Sequence, residues 1–192
     1  MPRAIANPAS TLSSKAMPKA FALELLRTDP MHMVRTTDNY GWTELAKTVS
    51  IHPDVALRLA RGASGLRLLE NARNTDGWRA MHSAVAHRGV AEHLTGTPAS
   101  VFRIAQVADD AGWSVLHEIV EKHGEIAARL AVDSIDLLDS TKTRLGESAL
   151  DVAILHVNAA RRVLEVHGDS LQKRSRKHLI KLIAEMEGLR RE

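Results

Sequence analysis

Every tryptophan in this chain follows a glycine, and those glycines are evenly spaced. Trp42, Trp78 and Trp113 come directly after Gly41, Gly77 and Gly112, and a fourth segment, Arg144-Leu145-Gly146-Glu147-Ser148-Ala149-Leu150, lines up with them without a Trp. The glycines lie 36, 35 and 34 residues apart. A period of this length marks a supersecondary unit too small to bury its own apolar face, so that neighbouring units must stack to make a core. The repeat therefore restricts the chain to a one-dimensional array, and the remaining sequence has to be read unit by unit.

Each unit reads as two short helices. Glycine supplies a turn conformation closed to other residues, after which apolar positions recur at helical spacing: Leu45 with Val49, Met81 with Ala84 and Val85, Leu116 with Ile119 and Val120, and Leu150 with Ala153 and Ile154. Breaks follow at Ile51-His52-Pro53, His87-Arg88-Gly89, His123-Gly124 and His156-Val157-Asn158, where Pro53 suits a first helical turn. A second helix carries Val55, Leu57 and Leu59; Val90 and Leu94; Ile126 and Leu130; and Val163 and Leu164. It leads into a connector with a short apolar knot, namely Leu66, Leu68 and Leu69; Val101, Phe102 and Ile104; or Ile135, Leu137 and Leu138. Residues 18–34 read as a half-unit. Leu179, Leu182, Ile183 and Met186 form one apolar face on a final helix, as terminal capping of an array requires.

Composition agrees with helix. The chain has 192 residues and only six aromatics, fewer than a β-sandwich usually spends on its strands. The expected fold class is all-α, a helical repeat solenoid over residues 17–168. A flexible arm at 1–16 precedes it, and a basic amphipathic capping helix at 169–192 closes it. The absence of Cys removes disulfides, thiolate metal sites and a Cys nucleophile, and suits a reducing, cytoplasmic setting. No apolar run approaches the length of a membrane span, and the first residues carry no secretory signal, so no membrane association is expected. Net charge is +3, but residues 170–192 hold seven basic residues against three acidic ones, which leaves the body near neutral.

The pattern Gly-x-x-x-Leu-His-x-[Ala/Ile], a Gly-containing turn and a second helix ending in Leu resembles the ankyrin repeat. Gly112-Trp113-Ser114-Val115-Leu116-His117-Glu118-Ile119 with Gly124 and Leu130 fits best, and Gly77-Trp78-Arg79-Ala80-Met81-His82-Ser83-Ala84 with Gly89 comes next. Ala46 and Asp151 stand where that family has His, no unit has its Thr-Pro, and apolar connectors replace its Gly-Ala-Asp-Val-Asn finger. The resemblance implies that His82 and His117 fix turns through backbone hydrogen bonds. It also implies a concave partner surface built from Asn39, Tyr40, Trp42, Lys47, Asp76, Trp78, Ser83, Ala86, Ala111, Trp113, Glu118, Glu121 and Lys122. The three indoles have two readings here, as contact residues or as packing that fills the space left by the missing Thr-Pro.

Chemistry leaves few marks. His117-Glu118-Ile119-Val120-Glu121 begins like a zincin helix but ends in Glu, and there is no phosphate loop, dinucleotide fingerprint or Gly-x-Ser-x-Gly elbow. No catalytic residue, metal ligand or cofactor is expected. Two functions from different classes remain: a protein-binding module acting as inhibitor, adaptor or assembly factor, and a nucleic-acid-associated protein or inhibitor of a nucleic-acid-processing complex. The second would use Lys173, Arg174, Arg176, Lys177 and Lys181 for electrostatic contact with nucleic acid or an acidic partner, without base stacking, because the tail helix has no aromatic residue.

Overall fold

The computed structural model describes residues 17–169 and 173–188, with side chains of the last helix described from Arg176 onward. The arm expected at residues 1–16 lies outside the described residues. Those described form fourteen helices and no strand, so the chain is all-α. In order they are α1 (Lys19–Thr28), α2 (Pro30–Arg35), α3 (Glu44–Ile51), α4 (Pro53–Arg61), α5 (Ala63–Asn71), α6 (Ala80–Ala84) and α7 (Arg88–Leu94). There follow α8 (Pro98–Gln106), α9 (Val115–Lys122), α10 (Gly124–Asp133), α11 (Ile135–Ser140), α12 (Ala149–Ala153), α13 (Val157–His167) and α14 (Lys173–Gly188).

One local geometry recurs four times. Gly41, Gly77, Gly112 and Gly146 all have positive φ, between 77° and 84°, and are the only described glycines that do. Each closes a β-turn by donating its N–H to the carbonyl three residues back: Asp38, Asn74, Asp109 or Thr143. An isolated antiparallel bridge flanks every turn: Thr37 with Thr43, Arg73 with Arg79, Ala108 with Ser114, and Lys142 with Ser148. The first turn residue is chosen for its side chain. The Oδ1 atom of Asp38, Asn74 or Asp109 accepts from the Trp N–H four residues on, at 2.8–2.9 Å, and from the N–H two residues on, at 2.9–3.0 Å. These short side chains stand in for a missing backbone partner and tighten the turn. The hydroxyl of Thr143 does the same more weakly for Glu147, at 3.2 Å.

Helices start where caps allow. Thr43, Ser114 and Ser148 accept from the backbone N–H three residues on, and Pro53 and Pro98 occupy first helical positions. The apolar knots expected as connectors are helices, so each of the first three units carries three helices rather than two. The reason lies in their spacing: Leu66 with Leu69, Val101 with Ile104 and Ile135 with Leu138 are i, i+3 pairs that give one face, and Leu69, Val101, Ile104 and Leu138 are fully buried. Gly65 lets α5 press onto α4, since a Cβ there would sit 2.3 Å from the Leu59 carbonyl oxygen.

Packing follows the period. The helices that open each unit, α3, α6, α9 and α12, contact one another in succession; α4 packs on α7, and α10 on α13. The last helix, α14, packs against α13, burying Leu179 and partly covering Leu182, Ile183 and Met186. One apolar core runs from Ala22 to Leu179.

The turns stack as well. A Cβ at Gly77 would lie 2.7 Å from the backbone nitrogen of Asp110, and one at Gly112 would lie 2.9 Å from that of Arg144, whereas one at Gly146 would meet nothing within 4 Å. All three positions share the left-handed strain that alanine suffers there, about 1–2 kcal/mol. Gly146→Ala should therefore lose only that amount in urea unfolding, and Gly77→Ala and Gly112→Ala distinctly more. Equal losses at the three sites would mean that turns do not pack on turns.

Candidate binding surface

The first helices are held by histidines working at both ends. At the third helical position, His82 and His117 accept through Nδ1 from the backbone N–H of Arg79 and Ser114, at 3.2 Å each. Their Nε2 atoms reach into the following unit and donate to the carbonyls of Trp113 (3.0 Å) and Glu147 (3.4 Å). Asp151, at the same position in the last unit, keeps only the accepting half, taking the Ser148 N–H at 2.9 Å. Among the described residues no further turn of this kind follows it. Ala46 provides neither half.

A second set of histidines reaches backwards. His87, His123 and His156 precede the second helices, and their Nε2 atoms donate to the carbonyls of Val49 (2.8 Å), Val85 (2.7 Å) and Glu121 (2.9 Å). His52 does likewise to Met17, at 3.1 Å. The carbonyls of Val49, Val85 and Glu121 lie at the ends of first helices, where the last four have no partner inside the helix, whereas Met17 precedes α1. The sequence placed the histidines near the breaks but gave no sign of their targets, which lie 35 to 38 residues away.

The indoles divide. Trp78 and Trp113 are buried, at 5% and 9% exposure, and each lies against the histidine four residues on, with ring centroids 4.6 Å and 5.0 Å apart. Their Nε1 atoms are satisfied internally, by Ser83 Oγ at 3.4 Å and Glu118 Oε2 at 3.1 Å. Trp42 is half-buried; it meets Trp78 edge to face with centroids 6.4 Å apart and has Ala46 where the others have an imidazole. The expectation that Trp78, Ser83, Trp113 and Glu118 face a partner is thus corrected for all four. Stacking on histidine and an internal hydrogen bond turn them into the floor beneath the surface.

The other expected residues lie above that floor. Asn39 and Tyr40 are exposed at the first turn, Tyr40 at 74%, and Asp76 is exposed at the second. Ala86, Glu121 and Lys122 are exposed at the ends of the first helices, while Ala111 and Lys47 are half-buried. Lys47 pairs with Glu44 and lies 3.6 Å from Asp38, and Lys122 lies 3.2 Å from Glu118. Ile51, Leu145 and Leu155 also open onto solvent and went unread in the sequence. Leu145 occupies the turn position of Tyr40, so the repeat register alone would have found it. On α14, Arg176, Lys177 and Lys181 are exposed; Arg176 is 3.4 Å from Asp169 and Lys181 is 3.4 Å from Glu185. The side chains of Lys173 and Arg174 lie outside the described residues.

Burial sets the titration of the floor. It lowers the pKa of His82 from 6.5 to about 4, against the raising effect of the Trp113 carbonyl, and lowers that of His117 against the Glu147 carbonyl. It raises that of Glu118, against the Lys122 charge and the Trp113 indole N–H. Among the described residues no three His, Asp or Glu side chains gather into a possible metal site, and no helix is long and apolar enough to cross a membrane. No protein-family profile, no curated protein and no solved structure matches the chain.

The buried neutral imidazole predicts acid sensitivity. Between its folded pKa of about 4 and its unfolded 6.5, His82 binds more protons when the chain is unfolded, so stability rises with pH across that window. At about 1.4 kcal/mol per pKa unit, about 3 kcal/mol present at pH 7 is lost by pH 4. Glu118 acts with the opposite sign, because its raised pKa favours the folded state on acidification. Urea unfolding at several pH values, on wild type and His82→Gln, measures the effect. The variant should flatten the slope; a slope it leaves intact would place His82's titration elsewhere.

Proposed function

We propose that this chain is a non-enzymatic protein-binding module built as an ankyrin-like helical solenoid. It would act as an inhibitor, adaptor or assembly factor by occupying a partner's surface. The observation that carries the reading is the contrast between floor and rim. Trp78, Trp113, His82 and His117 are fixed below, while Tyr40, Asn39, Asp76, Ala86, Glu121 and Lys122 line the turns and first helices above them and remain exposed. A rigid floor preorganises the rim, and a preorganised surface loses less entropy on binding. Tyr40 and the half-buried Trp42 fit the aromatic anchors that dominate interface energetics.

The ankyrin resemblance is supported by the four positive-φ glycines at one register and by the two-ended hydrogen bonding of His82 and His117. It is qualified by the third helix in each of the first three units. The second reading, contact with nucleic acid through α14, draws on exposed Arg176, Lys177 and Lys181; carboxylates beside two of them reduce the field available to phosphates.

The test compares wild type with a rim variant, Tyr40→Ala with Asp76→Lys and Glu121→Lys, and with a control on α8, Phe102→Ser. Each serves as bait in native pull-down with quantitative mass spectrometry and is checked for folding by circular dichroism. The rim variant should lose the partner by at least about tenfold, as one hot spot of 1.4 kcal/mol or more implies, and the control should retain it. Equal recovery on folded rim and control variants would remove this face from the interface. Partner loss on neutralising Arg176, Lys177 and Lys181 instead would favour the second reading.

A further inference from the structure

The row of turns ends in two unfinished edges that match each other. Inside the chain, the second turn is joined to the third, and the third to the fourth, in a fixed way. The N–H of Asp110, second residue of the third turn, donates to the carbonyl of Asp76, third residue of the second turn, at 3.1 Å. The N–H of Arg144 donates to the Ala111 carbonyl one unit later, at 2.9 Å. The incoming turn also covers the glycine, so that a Cβ on Gly77 or Gly112 would strike its backbone.

At the fourth turn this arrangement stops. Gly146 has the same conformation, with φ of 84°, but has nothing within 4 Å of the place its neighbours fill. Leu145, whose carbonyl corresponds to those of Asp76 and Ala111, is 98% exposed, the most open large apolar residue among those described. The helix α14 packs on α13, on the second-helix side of the unit. At the other end, Asn39 is the second residue of the first turn and corresponds to Asp110 and Arg144. It and Tyr40 are exposed, and among the described residues no turn of this kind precedes them. The end helices carry exposed apolar side chains too: Phe21 on α1, Met31 on α2 and Ile180 on α14.

We propose that the fourth turn is a docking surface for the first turn of a second copy of this chain. Asn39 N–H of the incoming copy donates to the Leu145 carbonyl, and its turn covers Gly146 as Asp110 covers Gly77. The contact continues, between molecules, an interface the chain already uses twice within itself. It is heterologous, joining head to tail, so association is open-ended unless the rotation between copies closes a ring.

Two single substitutions test it with the full chain. Asn39→Pro removes the donating N–H at a β-turn position where proline is favoured, and so blocks the head while keeping the turn. Leu145→Asp blocks the tail at a fully open position. In sedimentation velocity from low to high micromolar concentration, wild-type mass should rise with concentration, and each variant alone should stay monomeric. An equimolar mixture of the variants should form a one-to-one dimer and stop there, because each supplies the edge the other lacks. Wild type that stays monomeric throughout, association that either variant leaves unchanged, or a mixture that restores nothing would each overturn the proposal.

Discussion

The structure depends on a left-handed glycine held in a turn by the side chain three residues before it. Asp38, Asn74 and Asp109 accept two backbone N–H groups each, and this fixes the angle at which the chain enters its next helix. Once the entry angle is set, the first helices fall into one row and their apolar stripes face the same seam. The histidine at the third helical position then serves two masters, accepting from its own helix start and donating to the next turn. Local backbone geometry and long-range register are thereby joined through single residues, which is why the apolar core can be continuous although no unit holds much of it.

Much of this was legible in the sequence, for a physical reason: a period repeated four times averages out local ambiguity. The glycine register, the stripe at Leu45, Met81, Leu116 and Leu150, the half-unit at residues 18–34 and the apolar face of the last helix are all periodic signals. The third helices were harder to see. The helix α5 begins without a side-chain cap and contains Gly65, and α11 has only six residues, so composition there resembles a loop. The helix α8 did carry a signal, Thr97 before Pro98, with the threonine accepting from the Ser100 N–H.

The surface was less legible than the frame. Which way an indole points is decided by what lies four and five residues on, and those positions vary: Ala46 and Lys47, His82 and Ser83, His117 and Glu118. Where a histidine and a small or acceptor side chain are present, the indole turns in and is satisfied; where alanine and lysine replace them, it stays partly open. The backward histidines could not be foreseen at all, because their acceptors are backbone carbonyls that no residue type announces.

The ties between units are unequally distributed. The second and third units are joined by a forward histidine, a backward histidine and a turn-to-turn backbone bond, and so are the third and fourth. Between the first and second, among the described residues, the backward reach of His87 stands without the forward one, since Ala46 has no imidazole to extend. At that seam the tie is made instead by side chains: Arg103 of α8 pairs with Glu70 of α5, Trp42 meets Trp78 edge to face, and α3 packs on α6 and α4 on α7. The joint between the first two units is thus made by ring edges and an ion pair where the later joints use imidazole-to-backbone and turn-to-turn bonds, and its Trp42 stays partly open to solvent.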